Sequence, residues 1–242
     1  MIDKLGIVMA LDREARAIFG SRGWQKHKDL YYNTRLVHHK EVFVVLSGQG
    51  GARANAVADL LAERGCSLVL NMGVSGALKN GLGTGAIVLP RLIKGDEGLI
   101  EITFQGYNRI FSVFEENHLD FHDCPVFTSK SVICSPEHKA ELCKSHSACA
   151  VDQEAFFIAR SCLDTGMDVL VIKAISDTSS HTIPNCIIKC VDEYGGVRPL
   201  LLIYTILKQP SLISSLFILG RGFNKALSSL KQAFNIAIGV LL

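Results

Sequence analysis

Residues 150–177, AVDQEAFFIARSCLDTGMDVLVIKAISD, contain the alternation of elements that decides the fold. The stretch predicts a strand end, a helix that opens on Asp152 and Glu154, a glycine turn and a strongly apolar strand. That strand ends at Ser176 and Asp177, where a polar loop begins. Because open α/β sheets carry their chemistry at the carboxyl ends of buried strands, Asp177 is a candidate functional acid.

Another acid follows the first predicted strand. Residues 5–10 form a short apolar run, which is typical of a strand buried on both faces. A helix begins directly afterwards with Asp12 as its predicted N-cap, so Glu14 lies in the first helical turn. From position alone, Glu14 is better explained as a surface acid that complements the helix dipole. Our hypothesis is nevertheless that Glu14, Glu154 and Asp177 converge on one pocket.

A glycine-rich turn, SGQGG at residues 47–51, follows a predicted hairpin of residues 31–37 and 41–46. A helix over residues 52–64 comes next, and the backbone N–H groups at such a turn suit an anion or a ribose. Arg53 occupies the third glycine position of a dinucleotide fingerprint, so that motif is incomplete.

A predicted strand over residues 68–72 runs into GVSGAL, residues 73–78, which nearly matches the nucleophile elbow G-x-S-x-G. Ala77 stands where the last glycine of that motif belongs. The pattern leaves open a serine hydrolase that uses Ser75 with a histidine such as His181.

The repeated alternation of strands and helices between residues 12 and 177 predicts an α/β fold. We expect a single three-layer domain with a largely parallel, mixed central sheet flanked by helices. Residues 1–182 are assigned to this catalytic domain, and residues 183–242 to C-terminal apolar helices that pack on the same domain.

The C-terminal segment contains long apolar runs that Lys208 and Pro210 interrupt, which argues against a membrane span. Two helices broken at Pro210 are expected, the second reaching about Gln232. Ordinary packing on the sheet or on a partner subunit is the simpler interpretation. An apolar flap over the pocket, or peripheral contact with a bilayer, is the alternative.

The composition restricts the classes of function. The chain of 242 residues is 48% hydrophobic and 20% charged, with a net charge of +2 and no basic stripe, so no nucleic-acid partner is expected. No secretory signal precedes the eight cysteines, and we expect reduced, buried thiols in a cytoplasmic protein. Without a C-x-x-C pair no metal site is predicted, although His118, His122 and Cys124 lie close in sequence.

Six motifs occur in a fixed order: ALDREA (10–15), SGQG (47–50), NMGVSGAL (71–78), GAIVLP (85–90), VDQEAFFIA (151–159) and AISD (174–177). Over residues 4–180 this set resembles the purine nucleoside phosphorylase and methylthioadenosine/S-adenosylhomocysteine nucleosidase superfamily. More loosely, VDEYGG (191–196) and the broken apolar helices resemble a bacterial subgroup associated with hopanoid biosynthesis. That subgroup is thought to remove adenine from adenosylhopane.

The resemblance implies cleavage of the N-glycosidic bond of an adenosine-type nucleoside without metal or organic cofactor. It assigns Asp177 as the general acid at purine N7, with Ser176 orienting it. It assigns Glu154 to the ribose hydroxyls and Glu14 to the activation of water. Asp152 is interpreted as a helix N-cap or support.

The resemblance also implies the remaining substrate contacts. Gln153 replaces a methionine beside the sugar, and Ser75 with Gly73 and Gly76 lines the nucleophile side. Val132, Ile133 and Cys134 are the nearest match to an aromatic that stacks on the base, so stacking has to come from elsewhere, such as Phe156.

Phosphorolysis is the main alternative, with phosphate then a second substrate. An arginine of the phosphorylases is matched here by Asn71, which favours hydrolysis unless Arg13, Arg16, Arg53 or another subunit compensates. A nucleoside-binding module without turnover is also left open. Because family members are dimers, trimers or hexamers, a homo-oligomer is expected.

Overall fold

The computed structural model describes residues 4–242, and in them twelve strands and eight helices. The strands are β1 (Leu5–Met9), β2 (Gln25–His27), β3 (Leu30–Val37), β4 (Lys40–Leu46), β5 (Leu68–Ala77), β6 (Ile87–Val88), β7 (Leu92–Gly95), β8 (Gly98–Glu101), β9 (Phe121–His122), β10 (Val126–Thr128), β11 (Ala150–Asp152) and β12 (Asp168–Asp177). The helices are α1 (Asp12–Phe19), α2 (Ala54–Glu63), α3 (Tyr107–Glu116), α4 (Pro136–His146), α5 (Ala155–Asp164), α6 (Asn185–Ile188), α7 (Pro199–Lys208) and α8 (Leu212–Leu241).

The centre of the sheet consists of parallel strands. β1 lies between β4 and β5, and β5 pairs on its other side with β12. These strands are almost wholly apolar and buried, as expected for strands covered on both faces. Antiparallel pairs occur towards the edges, in the predicted hairpin of β3 and β4 and in the pair of β7 and β8. The predicted mixed α/β fold is confirmed.

Helices flank the sheet in two groups. α2 packs with α5, whereas α8 lies along β12 together with α1 and α3. The buried side chains of α8 recur at helical spacing and belong to the main core, including Ala226, Leu230, Phe234 and Ile238. The C-terminal helix therefore forms part of the same core as the sheet.

The predicted break at Pro210 is confirmed, but α8 continues to Leu241, beyond the expected end at Gln232. The apolar face continues through Ala233, Ala237 and Leu241, so packing on the sheet extends the helix. α7 has no buried residue, and Leu200 and Leu207 are 83% and 76% exposed. Across residues 4–242, no helix has the length and apolarity that a membrane crossing requires.

One prediction about the cysteines is wrong, because Cys124 and Cys149 form a disulfide. Each precedes a strand, and the strands β10 and β11 pair with Val126 opposite Ala150. The pairing places the two cysteines side by side, with Cα atoms 6.0 Å apart. Six cysteines remain as free thiols in the described residues. Cys124 is thereby removed from the candidate metal-ligating trio.

Two local predictions also need correction. Leu11, not Asp12, is the N-cap of α1, and Asp12 is its first helical residue. Ser75 lies inside β5, which runs on to Ala77, so the sharp strand-to-helix turn of a nucleophile elbow is absent there. The serine-hydrolase alternative loses its structural basis.

Candidate active site

A cavity of about 210 Å³ lies at the carboxyl ends of β1, β5 and β12. Of the ten residues predicted for the site, eight line this cavity: Glu14, Ser75, Gly76, Ile133, Gln153, Glu154, Ser176 and Asp177. Gly73 lies beneath Glu14, and Phe156 packs against Gly95 in the core. The three carboxylates expected to converge thus share one cavity.

Glu14 is held over the end of β5 by the first turn of α1. The backbone N–H of Leu11 donates to Glu14 Oε2 at 2.9 Å, and that of Val74 donates to Oε1 at 2.8 Å. The side chain is almost completely buried. Burial raises the pKa of Glu14, and the two backbone hydrogen bonds and the charge of Lys173 oppose that rise. A buried carboxylate of this kind is suited to accept a proton.

Glu154 joins the start of α5 to the glycine-rich turn. Its Oε1 accepts a hydrogen bond from the backbone N–H of Gly50 at 2.8 Å, and Gly50 adopts a φ of 79° that favours glycine. Burial, followed by the nearby charge of Asp152, raises the pKa of Glu154 to about 7. Its second oxygen has no hydrogen-bonding partner among residues 4–242 and is free to meet a ligand.

Asp152 lines the same cavity but its oxygens are engaged by the protein. Thr128 Oγ1 donates to Oδ1 at 2.7 Å, and the N–H of Ala155 and Lys173 Nζ contact Oδ2 at 2.9 and 2.7 Å. Burial alone would lower the pKa of Lys173, but the charges of Asp152, Glu154 and Glu14 outweigh it and raise the pKa. These contacts agree with Asp152 as a support for the start of α5.

Asp177 ends β12, where an irregularity after Ile175 brings it opposite Gly76. Ser176 Oγ donates to Asp177 Oδ1 at 2.9 Å. Lys139 Nζ lies 2.5 Å from Oδ2 and also lines the cavity. Sequence reasoning missed Lys139, because a lysine in the polar helix α4 carries no sign that it points inward.

Of the other residues predicted to contact the substrate, Ser75 and Ile133 line the cavity, whereas Phe156 does not. Ser75 is buried, and its Oγ has no hydrogen-bonding partner in the described part of the chain. Ile133 is buried beside Val132 on the cavity wall and offers apolar contact to a base. The aromatic ring expected from Phe156 is absent from that wall, because residue 156 turns toward the sheet.

The arginines considered for a phosphate site interact elsewhere. Arg13 donates to Asn224 Oδ1 at 2.9 Å, Arg16 pairs with Asp12, and Arg53 pairs with Glu193. Asn71 Nδ2 donates to the carbonyl of Val8 at 3.3 Å. Within residues 4–242, the cation on the cavity wall is Lys139, which is paired with Asp177.

A second cavity, of about 270 Å³, continues from the first. Five residues line both: Leu11, Gln49, Ser176, Asp177 and Ile183. The rest of the second cavity is mainly apolar and is formed by the segment before α7 and by α8, with Val191, Val197, Leu216, Leu219 and Phe223. The site therefore opens from a polar chamber into an apolar one.

The chain matches known proteins over most of its length. A family model described as the phosphorylase superfamily matches residues 4–185. The 5′-methylthioadenosine/S-adenosylhomocysteine nucleosidase of Buchnera aphidicola is 24% identical over 202 residues, which are 73% of this chain and 79% of that protein.

Two solved structures share the fold. Futalosine hydrolase of Helicobacter pylori aligns with a TM-score of 0.77 and 17% identity, over 99% of this chain and 98% of that one. The H. pylori 5′-methylthioadenosine/S-adenosylhomocysteine nucleosidase with butyl-thio-DADMe-Immucillin-A aligns with a TM-score of 0.74 and 16% identity, over 100% and 98%.

Proposed function

The chain belongs to the phosphorylase superfamily, and we propose that it hydrolyses the N-glycosidic bond of an adenosine-type purine nucleoside and releases adenine. The observation that carries the proposal is the shared cavity of Glu14, Glu154 and Asp177. The names of the related nucleosidases and of the futalosine hydrolase support the same class of reaction. No metal or organic cofactor takes part in the proposed reaction.

Each acid has a separate task in the proposed mechanism. Glu14 accepts the proton of the attacking water, and its burial favours proton uptake. Glu154 binds the ribose hydroxyls and adds negative charge near a sugar that becomes cationic as the bond breaks. Asp177, oriented by Ser176, protonates the purine so that the base does not leave as an anion. A general acid positioned in this way typically accelerates a reaction by about 10²-fold to 10⁴-fold.

Hydrolysis is favoured over phosphorolysis by the charges around the cavity. A phosphate dianion needs cationic or N–H donors, yet Arg16 and Arg53 pair with acids, and Arg13 lines the second cavity rather than the first and donates to Asn224. In the proposed mechanism Glu14 stands on the nucleophile side of the cavity, where a phosphate would also have to bind, and two negative groups there repel each other.

We extend the proposal to the substituent at the 5′ position of the ribose. The second cavity is apolar and continuous with the first, so it suits an apolar group attached to the sugar. A lipid-linked nucleoside such as adenosylhopane is the proposed substrate, in line with the looser resemblance of the C-terminal segment.

The test is adenine release from adenosine, methylthioadenosine and an adenosine with a long alkyl group at the 5′ position, each with and without phosphate. Free ribose products in the absence of phosphate are expected, with the alkyl nucleoside cleaved most efficiently. Ribose-1-phosphate formed only with phosphate would replace hydrolysis by phosphorolysis. Asp177→Asn is the control for chemistry, because it should bind nucleoside yet lose about 10² or more of the rate. Tight binding by the wild-type protein without any product would instead indicate a binding module.

A further inference from the structure

Lys139 carries a fully buried ammonium in the first turn of α4, and all three of its N–H donors have acceptors. Nζ lies 2.5 Å from Asp177 Oδ2, 2.8 Å from the carbonyl of Thr178 and 3.1 Å from the carbonyl of His181. A buried charge is costly unless it is paired and hydrogen-bonded, so this arrangement is a built site. By contrast, Lys144 on the same helix is exposed.

The contacts of Lys139 complete the immobilisation of Asp177. One carboxyl oxygen accepts from Ser176 Oγ, and the other faces Lys139 Nζ. Gly76 leaves room for the carboxyl group, since a Cβ atom at residue 76 would lie 3.1 Å from Asp177 Oδ2. The carboxyl plane is therefore fixed at the cavity wall by groups from β5, β12 and α4.

We propose that Lys139 is a positioning residue for Asp177. It aims the carboxyl group at the departing base, and its positive charge stabilises the carboxylate that remains after the proton has been delivered. The inference rests on the proposed function, because it assigns Lys139 a part in the same proton transfer.

The step balances as a single proton transfer. The electron pair of the bond between C1′ and the purine nitrogen moves into the base as that bond breaks. The base takes the proton of the Asp177 carboxyl group, which leaves a carboxylate facing the ammonium of Lys139. In the free protein the Asp177 carboxylate already faces Lys139 Nζ at 2.5 Å, so the carboxyl group takes up a proton from solvent before the bond breaks, and the ion pair re-forms as that proton is delivered to the base.

The other titratable groups around this ammonium are few in the described residues. His181 contributes its carbonyl, and its Nδ1 accepts from the N–H of Thr178. Cys134 precedes α4, and burial raises the pKa of its thiol while the charge of Lys139 opposes that rise. Asp177 is the carboxylate in direct contact with Lys139 Nζ.

The decisive test compares Lys139→Met, Lys139→Arg and the exposed-site control Lys144→Met. At the pH optimum, Lys139→Met should lower kcat by about tenfold to a hundredfold and leave KM within about threefold. Lys139→Arg, which keeps the positive charge, should restore kcat to within about threefold of wild type, and Lys144→Met should match wild type in both kcat and KM.

A double-mutant cycle with Asp177→Asn separates this role from simple packing. If Lys139 acts through Asp177, adding Lys139→Met to Asp177→Asn should change kcat by less than about threefold. The inference would be overturned if the two substitutions lowered kcat by independent factors that multiply in the double variant, or if a folded Lys139→Met protein kept the wild-type kcat. The double variant is also the folding control, because it removes both buried charges together.

A crystal structure of Lys139→Met keeps the inference testable without any substrate. The Asp177 carboxyl group should turn away from its wild-type orientation in Lys139→Met and keep that orientation in Lys144→Met. An unchanged orientation in Lys139→Met refutes the positioning role of Lys139. Absence of adenine release by the wild-type protein, by contrast, refutes the proposed function and leaves this structural comparison as the test of the pair.

Discussion

The carboxylate of Glu14 lies directly over Gly73, so that a Cβ atom at residue 73 would be 3.0 Å from Glu14 Oε1. The glycine thereby permits the hydrogen bond from the N–H of Val74 to the same oxygen. A larger residue at position 73 has to displace the carboxylate that we propose activates water.

Gly73→Ala should therefore lower adenine release by about tenfold or more, since small displacements of a catalytic group are costly. The melting temperature should change little, because the neighbour that must move is the end of a side chain. Gly83→Ala is the matched control, as a Cβ atom there meets nothing within 4 Å. Equal activity in the two variants would contradict the role of Gly73.

The raised pKa of Glu154 predicts that the folded protein loses stability as the pH rises from about 5 to 8. Its pKa is about 7 in the fold against 4.5 ordinarily, so between these values the folded state binds more protons than the unfolded state. The free energy of unfolding then falls with rising pH, by about 3 kcal/mol for this group. Urea unfolding at pH 5 and pH 8 measures the difference.

The control for this measurement is a pair of neutralising substitutions. Glu154→Gln should flatten the pH dependence, and Glu137→Gln, at an exposed position on α4, should leave it as in wild type. Part of the slope should remain in Glu154→Gln, because burial raises the pKa of Glu14 in the same direction. A wild-type protein that gains stability over this pH range would contradict the prediction.

The disulfide between Cys124 and Cys149 should contribute to stability, since it closes a loop of 25 residues in the unfolded chain. Closing a loop of this length should raise the free energy of unfolding by about 3 kcal/mol. Thermal unfolding with and without dithiothreitol should show a lower midpoint for the reduced protein. The Cys124→Ser/Cys149→Ser variant should unfold at that lower midpoint whether or not reductant is present.

Gly220 provides a test of the proposed 5′ substituent, because it lines the apolar cavity and a Cβ atom there meets nothing within 4 Å. Gly220→Leu should fill part of that cavity and raise KM for the 5′-alkyl nucleoside by about tenfold, while KM for adenosine stays within about twofold. Gly239→Leu, at an exposed position on the same helix, should affect neither. Equal effects on both substrates would count against the apolar subsite.

The sequence predicted those features that depend on local pattern. Short apolar runs identified β1, β5 and β12, and the polar end of β12 identified Asp177 as a candidate. The role of Glu14 depended on the family resemblance, because its position alone favoured a surface acid. Features that depend on packing between distant segments were missed. The inward direction of Lys139 depends on how α4 lies on the loop after β12, and the disulfide depends on the pairing of β10 with β11.

Phe156 and Phe157 illustrate the same limit. Adjacent residues of a helix point in different directions, and only the seating of α5 decides which ring faces which neighbour. The structure places Phe156 against Gly95 and Phe157 against Gly51, where the glycines leave space for the rings. No pattern within residues 151–159 distinguishes these orientations.

Helix α8 approaches the end of β12 so closely at Gly222 that a Cβ atom there would lie 2.2 Å from the carbonyl oxygen of Ser176. If C-terminal segments are exchanged between relatives to alter the range of substrates, the residue at position 222 has to remain compatible with the backbone at Ser176. A donor helix with any larger residue at that crossing would push against the backbone beside Asp177. Chimeras joined within the loop of residues 178–184 should therefore tolerate only donors that carry glycine at the equivalent of position 222.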